Sequence, residues 1–470
     1  MTKKQYKCSI CGYQFFAGSL PLNCPVCAAD KEKFVLLEEN DNGVSQAIKD
    51  KIETPVAKEE TNLDQYLSEW SREGYEQEEK FSILQKISKT GASEISPMGT
   101  RKQFPGFDTI LFKGSQFHRF PLNESQEVSL KTIIGPTAKY PLELKVPFFV
   151  SHMSFGALSK EAKIALAIGS SNAGTAIGSG EGGMLEEERE KADKYIYEIG
   201  TALFSRDESA MKRADAVEIK FGQAAKPGMG GHLPAEKVTE EIARIRKIKP
   251  GQDFISPNFQ PGIKSPDDLK KMIQDIREIT GGKPVGVKFT AGHIEADLVF
   301  VLRASPDFFT IDCRGGATGA APNFIRDHIC LPAIYTIRKV RKILDKTGSK
   351  ATFCVTGGFR DSTDIAKAIA LGADAVALAT TSLIAIGCQQ YRICNTGNCP
   401  VGIATQDPEL RKRFSIQASA ERFTNFSKAT MNELETLARI NGYADIHQLS
   451  IEDVFTISNE VSANTDIGYA

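Results

Sequence analysis

Short apolar runs and longer amphipathic stretches alternate along the chain from residue 146 to residue 414. The apolar runs, which lean towards β-branched and aromatic residues, predict eight strands: Pro147–His152, Gly174–Ile177, Tyr197–Leu203, Ala216–Lys220, Val285–Phe289, Phe308–Asp312, Thr352–Val355 and Ala375–Ala379. The amphipathic stretches predict helices at Ser159–Ser170, Pro266–Thr280, Ala333–Leu344 and Thr363–Ala370. This alternation predicts an α/β protein built on a (β/α)8 TIM barrel, and a doubly wound open sheet is the main alternative.

Composition distinguishes four further regions. Residues 1–38 form a small Cys-rich unit, and residues 39–62 are polar and predict a linker. Residues 63–145 combine a helical stretch at Tyr66–Lys89 with short loops, and residues 415–470 predict helices and polar turns. We therefore expect a barrel domain at 146–414 with shorter segments on both sides of it.

Composition also narrows the classes of partner and compartment. The chain has 470 residues, of which 41% are hydrophobic and 25% charged, and its formal net charge of -1 argues against binding to nucleic acid or to an anionic membrane. No apolar run is long enough to span a bilayer, and the first residues lack the apolar core of a secretory signal. We expect a cytoplasmic protein that does not bind membranes.

Four cysteines near the N-terminus have the spacing of a tetrahedral metal site. They form two knuckles, Cys8-x2-Cys11 and Cys24-x2-Cys27, which can donate four thiolates to one ion. Spacing alone does not separate iron from zinc, because both accept this set of ligands. The residues around the knuckles resemble rubredoxin, which implies a rubredoxin-like domain with a mononuclear iron and makes zinc the less favoured metal.

A second group of cysteines has a different spacing, Cys388-x5-Cys394-x4-Cys399, inside the loop 387–400. Three thiolates with no obvious fourth nearby suit three corners of an iron–sulfur cluster, and the alternative is three buried, redox-inert cysteines. The stretch Gly387–Phe414 resembles the cluster loop of the synthase domain of glutamate synthases. That resemblance implies a three-iron, four-sulfur (3Fe–4S) cluster held by these three residues.

Other segments of the barrel region resemble the same family. They are Met153–Ser159, Glu181–Gly183, Gln223–Gly231 and Gly315–Ala320. The resemblance implies that the barrel binds FMN, and late-strand glycines suit a flavin phosphate because they let backbone N–H groups approach it. The residues expected at the cofactor are Met153, Ser154, Gly156, Lys220, Gln223, Lys288, Gly315, Gly316, Thr318, Gly357, Gly358, Ala379 and Thr380.

The resemblance also implies substrate residues. Lys226, Arg246 and Glu181 correspond to family residues that line the pocket for 2-oxoglutarate and the imine, and two cations suit a dicarboxylate. Glu181 and Lys226 are the expected catalytic residues. His232 stands where the family has Gln and is expected to contact substrate. Two further departures, at 203–205 and 256–260, leave the identity of the substrate open.

The family implies reductive amination of 2-oxoglutarate to L-glutamate, with electrons relayed through iron to FMN. Because the chain begins Met1-Thr2-Lys3, without an N-terminal Cys nucleophile, we expect ammonia from solution or from a separate glutaminase subunit. An electron-donor subunit linked to NAD(P)H or ferredoxin and a homo- or hetero-oligomer are also expected. The alternatives are N-methylglutamate synthesis or another amine and keto-acid pair, and an electron-transfer subunit without turnover of its own.

Overall fold

The computed structural model describes residues 4–9, 14–17, 30–36 and 80–470. The chain divides into two compact units, Met1–Glu94 and Ile95–Ala470. In the first unit an antiparallel sheet has the strand order Gln14–Ala17, Lys4–Cys8 and Phe34–Leu36, followed by a helix at Phe81–Thr90. Of the predicted metal ligands in this unit, Cys11, Cys24 and Cys27 lie outside the described residues, as do the linker 39–62 and most of the predicted helix Tyr66–Lys89.

The second unit is built on eight parallel strands that close into a barrel. They are β1 Phe148–Val150, β2 Ala176–Gly178, β3 Lys194–Ile199, β4 Ala216–Lys220, β5 Val285–Thr290, β6 Phe308–Asp312, β7 Thr352–Thr356 and β8 Ala375–Leu378. Val376 of β8 pairs with Phe148 of β1, and this pairing closes the sheet. Each strand lies at a predicted position, so the barrel is confirmed and the open sheet was the wrong alternative.

Helices follow the strands. They are α1 Lys160–Asn172, α2 Glu186–Lys191, α3 Glu208–Arg213, α4 Glu240–Arg246, α5 Pro266–Thr280, α6 Ile294–Arg303, α7 Asn323–Arg326, α8 Ala333–Thr347, α9 Ser362–Ala370, α10 Thr380–Ala385, α11 Pro408–Arg411, α12 Ile416–Ile440 and α13 Asn459–Asn464. Local sequence explains α5, which begins at a capping box between Ser265 and Asp268 and ends at Gly281 in the left-handed region. In the part of the chain described here, no helix has both the length and the hydropathy to cross a membrane.

Short elements complete the unit. Two-stranded ladders join Ile95–Ser96 to Ala321–Pro322, Ile110–Phe112 to Val454–Thr456, Thr132–Ile134 to Leu142–Leu144, and His232–Leu233 to Phe254–Ile255. Single 3-10 turns of this unit lie at Phe107–Thr109, Leu203–Ser205, Ala235–Lys237, Cys394–Thr396, Ile446–Gln448 and Ile451–Asp453, and the first unit has one at Lys31–Lys33. The tail contains the predicted helix, but its strand Val454–Thr456 was not predicted, because three residues carry little periodic signal.

The lower half of the barrel is filled by apolar side chains. Side chains of the barrel strands and three side chains of the hairpin 132–144 pack there in one apolar cluster. Its members are Ile134, Leu142, Leu144, Phe149, Ala176, Ile196, Ala216, Phe308, Cys354, Ala375 and Ala377. The backbone N–H of Gly135 donates to Thr352 Oγ1 at the start of β7, so the hairpin covers the N-terminal end of the barrel. A cavity can therefore open only at the C-terminal end of the strands.

An ion pair with α8 helps to attach the end of the chain to the barrel. Asp466 accepts hydrogen bonds from Nε and Nη2 of Arg338 on α8, at 2.8 and 2.7 Å. These bonds hold the pKa of Asp466 at about 2, below its ordinary value of 3.8. Because folding lowers this pKa, the pair stabilises the fold fully above pH 3.8, and its contribution disappears as the pH falls towards 2.

We expect Asp466→Asn to lower the free energy of unfolding by about 1 kcal/mol at pH 7, the size of a partly exposed ion pair. The difference between wild type and variant should shrink when thermal midpoints are measured at about pH 3, within the window set by this pKa shift. Asp345→Asn, which removes a more exposed carboxylate from α8, is the control and should change the midpoint little at either pH. A difference for Asp466→Asn that does not depend on pH would contradict the assignment.

Candidate active site

A cavity of about 1480 Å³, counted out to its open mouth, lies at the C-terminal end of the barrel. It brings together nearly all the described residues that were predicted to form the site. Those in its lining are Met153, Ser154, Glu181, Lys220, Gln223, Lys226, His232, Arg246, Lys288, Gly315, Gly316, Thr318, Gly357, Gly358, Ala379, Thr380, Cys388, Cys394 and Cys399.

Gly156 does not reach the cavity lining. Its φ is +104°, and a Cβ atom there would lie 3.1 Å from Leu233 Cδ2 and 3.3 Å from Arg246 Nη2. The absence of a side chain therefore gives room to Arg246. The motif predicted a glycine at the cofactor, whereas in the structure this glycine supports a neighbouring side chain.

Two buried lysines stand at the ends of neighbouring strands, Lys220 on β4 and Lys288 on β5. Lys220 Nζ lies 3.0 Å from Glu181 Oε2 and 3.2 Å from Gln223 Oε1. Burial acts against its charge, but the carboxylates of Glu181 and Glu198 raise the pKa of Lys220 above its ordinary value. Lys220 is therefore a fixed cation at the cavity.

Glu198 on β3 is the anion shared by both lysines, and the sequence interpretation missed it. Its Oε1 lies 3.6 Å from Lys220 Nζ, and its Oε2 lies 3.5 Å from Lys288 Nζ. Burial would raise the pKa of Glu198, but Lys220, His152 and Lys288 together lower it to about 2. The feature of the sequence that could have indicated Glu198 is a charged residue at an inward position of a mostly apolar strand.

Lys226 and Arg246 are buried cations of a different kind, with 4% of each residue exposed. Neither has a carboxylate within 4 Å among the described residues. Burial lowers the pKa of Lys226, and burial also lowers that of Arg246 to about 10 despite the opposing effect of Glu181. Arg246 Nη2 donates to Phe155 O at 2.8 Å, while its Nε has no hydrogen-bond partner.

His232 lies at the cavity with an acidic partner. Its Nε2 is 3.0 Å from Asp253 Oδ2, and Asp253 Oδ1 accepts the backbone N–H of Ala235 at 2.7 Å. The hydrogen bond from His232 lowers the pKa of Asp253. The short ladder between His232–Leu233 and Phe254–Ile255 holds the two side chains together.

Cys388, Cys394 and Cys399 line the cavity, and none of the three is in a disulfide. Burial, together with the other two sulfur atoms, raises the pKa of Cys394 to about 11, and burial raises that of Cys388. Three converging thiols in this environment become thiolates readily only when a metal compensates their charge.

Two cations connect the loops around the cavity by donating to backbone carbonyl groups. Lys237 Nζ donates to Cys394 O, inside the cysteine loop, at 2.6 Å and to Ala404 O, just after it, at 3.1 Å. Arg392 Nη2 donates to Pro97 O at 3.2 Å and to Gly99 O at 2.5 Å. The spacing of the cysteines gave no indication of either anchor, since both join segments that are far apart in sequence.

A third anchor lies beneath the loop after β1. Lys163 on α1 donates to Met153 O at 2.5 Å and to Ser179 O at 2.9 Å, and it pairs with Glu188 at 2.7 Å. The loops that follow β1 and β2 are therefore held together by one ammonium group.

The loops after β6 and β7 meet at glycines. Gly357 has φ +118°, and a Cβ atom there would overlap with Cys313 O, which is backbone. Gly358 has φ +97°, but a Cβ atom would meet nothing nearer than 3.5 Å. Gly357 is therefore required by the contact between the loops, whereas a Cβ atom at Gly358 would make only ordinary van der Waals contact with Gly315.

Two parts of the chain are similar in sequence to known protein families. Residues 79–444 match the family model described as a conserved region in glutamate synthase, and residues 6–35 match that of the rubredoxin-like domain of rubrerythrin. A glutamate synthase large subunit-like protein of Rhizobium meliloti is 35% identical over 82% of this chain and 92% of its own length. An archaeal glutamate synthase (NADPH) of Methanocaldococcus jannaschii is 37% identical over 77% of each chain.

These matches place the chain among the oxidoreductases. It belongs to the glutamate synthase family, and a rubredoxin-like domain precedes the part that carries the family match. Among solved structures, a soluble mutant of the (S)-mandelate dehydrogenase of Pseudomonas putida is 17% identical, with a TM-score of 0.47 over 74% of this chain and 88% of that one.

The two neighbouring glycines provide a matched test of the cavity wall. We expect Gly357→Ala and Gly358→Ala each to lower the free energy of unfolding by about 1–3 kcal/mol, because alanine is strained at a positive φ. Gly357→Ala should lower it by about 1–3 kcal/mol more, because its Cβ atom would overlap with backbone atoms of Cys313. Thermal or denaturant midpoints of both variants measure the difference. Equal losses, or a larger loss for Gly358→Ala, would contradict the contact described for Cys313.

Proposed function

We propose that the barrel catalyses the reductive amination of 2-oxoglutarate with ammonia to give L-glutamate. The observation that carries the proposal is the presence of two buried cations, Lys226 and Arg246, at one cavity without a carboxylate partner among the described residues. Burying a cation is costly unless an anion compensates it, so the pair supports an anionic ligand. The names of the relatives support the same reaction, since they are called glutamate synthases.

The two cations suit the two carboxylates of a keto diacid. The Arg246 guanidinium offers a planar set of donors that matches a carboxylate, and its Nε has no partner within the described part of the protein. The Lys226 ammonium supplies the second charge. His232, oriented by Asp253, adds a polar group at the same cavity and would help to select the substrate.

Glu181 is the proposed acid–base group for the amine nitrogen. Its Oε2 is bound to Lys220, while a Cβ atom on Gly231 would overlap with its Oε1, so the carboxylate is confined between β4 and the loop that carries His232. A confined carboxylate beside substrate cations can hold a proton at a fixed position. Water released during imine formation would leave through the open mouth.

The cavity suits FMN in shape and in charge. The backbone at Gly358, together with Ala379 and Thr380 at the end of β8, suits the phosphate, and Lys220 and Lys288 suit the electron-rich edge of the flavin ring. Bound FMN would supply the two-electron reduction of the imine. Met153, Ser154, Gln223, Gly315, Gly316 and Thr318 are proposed as further contacts.

The converging thiols of Cys388, Cys394 and Cys399 suit three corners of a 3Fe–4S cluster at the same cavity. Cys8, Cys11, Cys24 and Cys27 are proposed to hold a single iron, in line with the rubredoxin-like match at 6–35. Both centres carry single electrons. We propose a separate donor linked to NAD(P)H or ferredoxin, and ammonia from solution or from a glutaminase subunit.

An anaerobic titration tests the reaction. The protein is reduced fully, 2-oxoglutarate and ammonium are added, and flavin absorbance is followed while glutamate is assayed. We expect reoxidation of the flavin with one glutamate formed for every two electrons stored on the flavin and the iron centres. A flavin that stays reduced would refute the proposal, and reoxidation by methylamine in place of ammonium would identify N-methylglutamate synthesis instead.

Arg246→Gln tests the substrate site separately. We expect the KM for 2-oxoglutarate to rise by about 10- to 100-fold, the effect of losing a charge-assisted hydrogen bond, with flavin content unchanged. Arg244→Gln is the control, because Arg244 lies on the same helix but is exposed. Steady-state kinetics on both variants decide the matter, and an equal KM for the two would remove Arg246 from the substrate site.

A further inference from the structure

Three titratable side chains of the barrel take no direct part in the proposed reaction, although two of them, His152 and Glu198, reach the lining of the cavity. His152 follows β1, Glu198 lies on β3 and Glu218 lies on β4. Their side chains are at most 2% exposed. Charged residues are rare at such depth without a purpose, because the interior solvates them poorly.

The imidazole ring of His152 lies between the two carboxylates. Its Nε2 is 2.9 Å from Glu218 Oε2, and its Nδ1 is 3.7 Å from Glu198 Oε2. The ring packs closely against β2, since a Cβ atom on Gly178 would overlap with Nδ1. Neither nitrogen makes a directed hydrogen bond, so the ring is held by charge and by packing.

The two carboxylates of the cluster differ in the number of basic side chains that lie close to them. Glu198 has Lys220 and Lys288 within 4 Å. Glu218 accepts a hydrogen bond from the hydroxyl of Thr310 at 2.5 Å, and His152 is the one basic side chain within 4 Å of its carboxylate in the described part of the chain. Glu188 also acts on His152, but Lys163 already compensates it at 2.7 Å.

We propose that His152 is an imidazolium that neutralises Glu218 and, with Glu198, fixes Lys220 and Lys288 on the floor of the cavity. A neutral ring would leave the buried Glu218 carboxylate with the Thr310 hydroxyl but without a cationic partner within 4 Å among the described residues, whereas the charged ring forms a neutral pair with it. The three residues are positioning residues for the two lysines. The inference rests on the proposed function in one respect, because bound flavin would sense the charge that the lysines present.

A metal ion is a weaker occupant of the cluster. The two ring nitrogens point to different carboxylates, and an ion bound by Glu198 would lie close to the ammonium groups of Lys220 and Lys288. Like charges at that distance in a buried site oppose binding. The imidazolium meets both carboxylates without this repulsion.

A double-mutant cycle on the purified holoprotein tests the pair. Thermal midpoints are measured for His152→Gln, Glu218→Gln and the double variant. We expect each single variant to lose stability, because it leaves a buried charge without its partner, and the double variant to regain most of the loss. Additive losses would overturn the proposal, as would loss of one equivalent of a divalent metal in the variants. A single variant that does not fold while the double variant does would support it.

The flavin midpoint potential of the same proteins is the second readout. Reduction adds negative charge to the flavin, so a nearby buried cation raises the midpoint potential and a nearby buried anion lowers it. Removing the cation therefore lowers the potential, and removing the anion raises it. We therefore expect His152→Gln to lower the potential, Glu218→Gln to raise it, and the double variant to return to the wild-type value. Shifts in one direction, or no shift in any variant, would contradict the charge assignment.

Asp307→Asn is the matched control for both readouts. Asp307 is a buried carboxylate paired with Arg277, but it precedes β6 at the opposite end of the barrel. It should cost stability without moving the flavin potential. If no flavin is bound, or if 2-oxoglutarate does not reoxidise it, the proposed function is refuted. The thermal double-mutant cycle would still show whether His152 and Glu218 form a charge pair.

Discussion

Closure of the parallel barrel is the constraint on which the other features of the second unit depend. Once β8 pairs with β1, the carboxyl ends of all eight strands surround one space, and the hairpin 132–144 covers the other end. Loops that are hundreds of residues apart in sequence then share a single rim. The cysteine loop and the glycine-rich loops meet there because the sheet has no other open end.

Closure also creates an electrostatic problem, since inward positions near the rim are shielded from water. The structure solves it in two ways. Glu198 compensates Lys220 and Lys288 inside the protein, so these charges are present and fixed before any ligand arrives. Lys226 and Arg246 have no such compensation among the described residues, and their burial favours a ligand that brings negative charge.

The sequence predicted the barrel well because its strands are continuous apolar runs separated by glycines and amphipathic helices, as parallel strands covered on both faces require. Nearly all the described residues that it predicted for the site also line the cavity, because they belong to motifs that are local in sequence. It did not predict Glu198, Glu218 or His152, because an inward charge is defined by neighbours on other strands. Gly156 was predicted from a motif, but a motif does not indicate which neighbouring side chain occupies the space beside a glycine.

Lys163, Lys237 and Arg392 hold the rim together by donating to carbonyl groups of the main chain. Every residue type carries such a carbonyl, so the loops that receive these bonds can change their side chains without losing their attachment. Over evolutionary time, the surroundings of the cavity can therefore drift in sequence, and with it in substrate preference, while the loops keep their positions. Selection for a rigid rim falls on a few long basic residues and leaves the rest free to diverge.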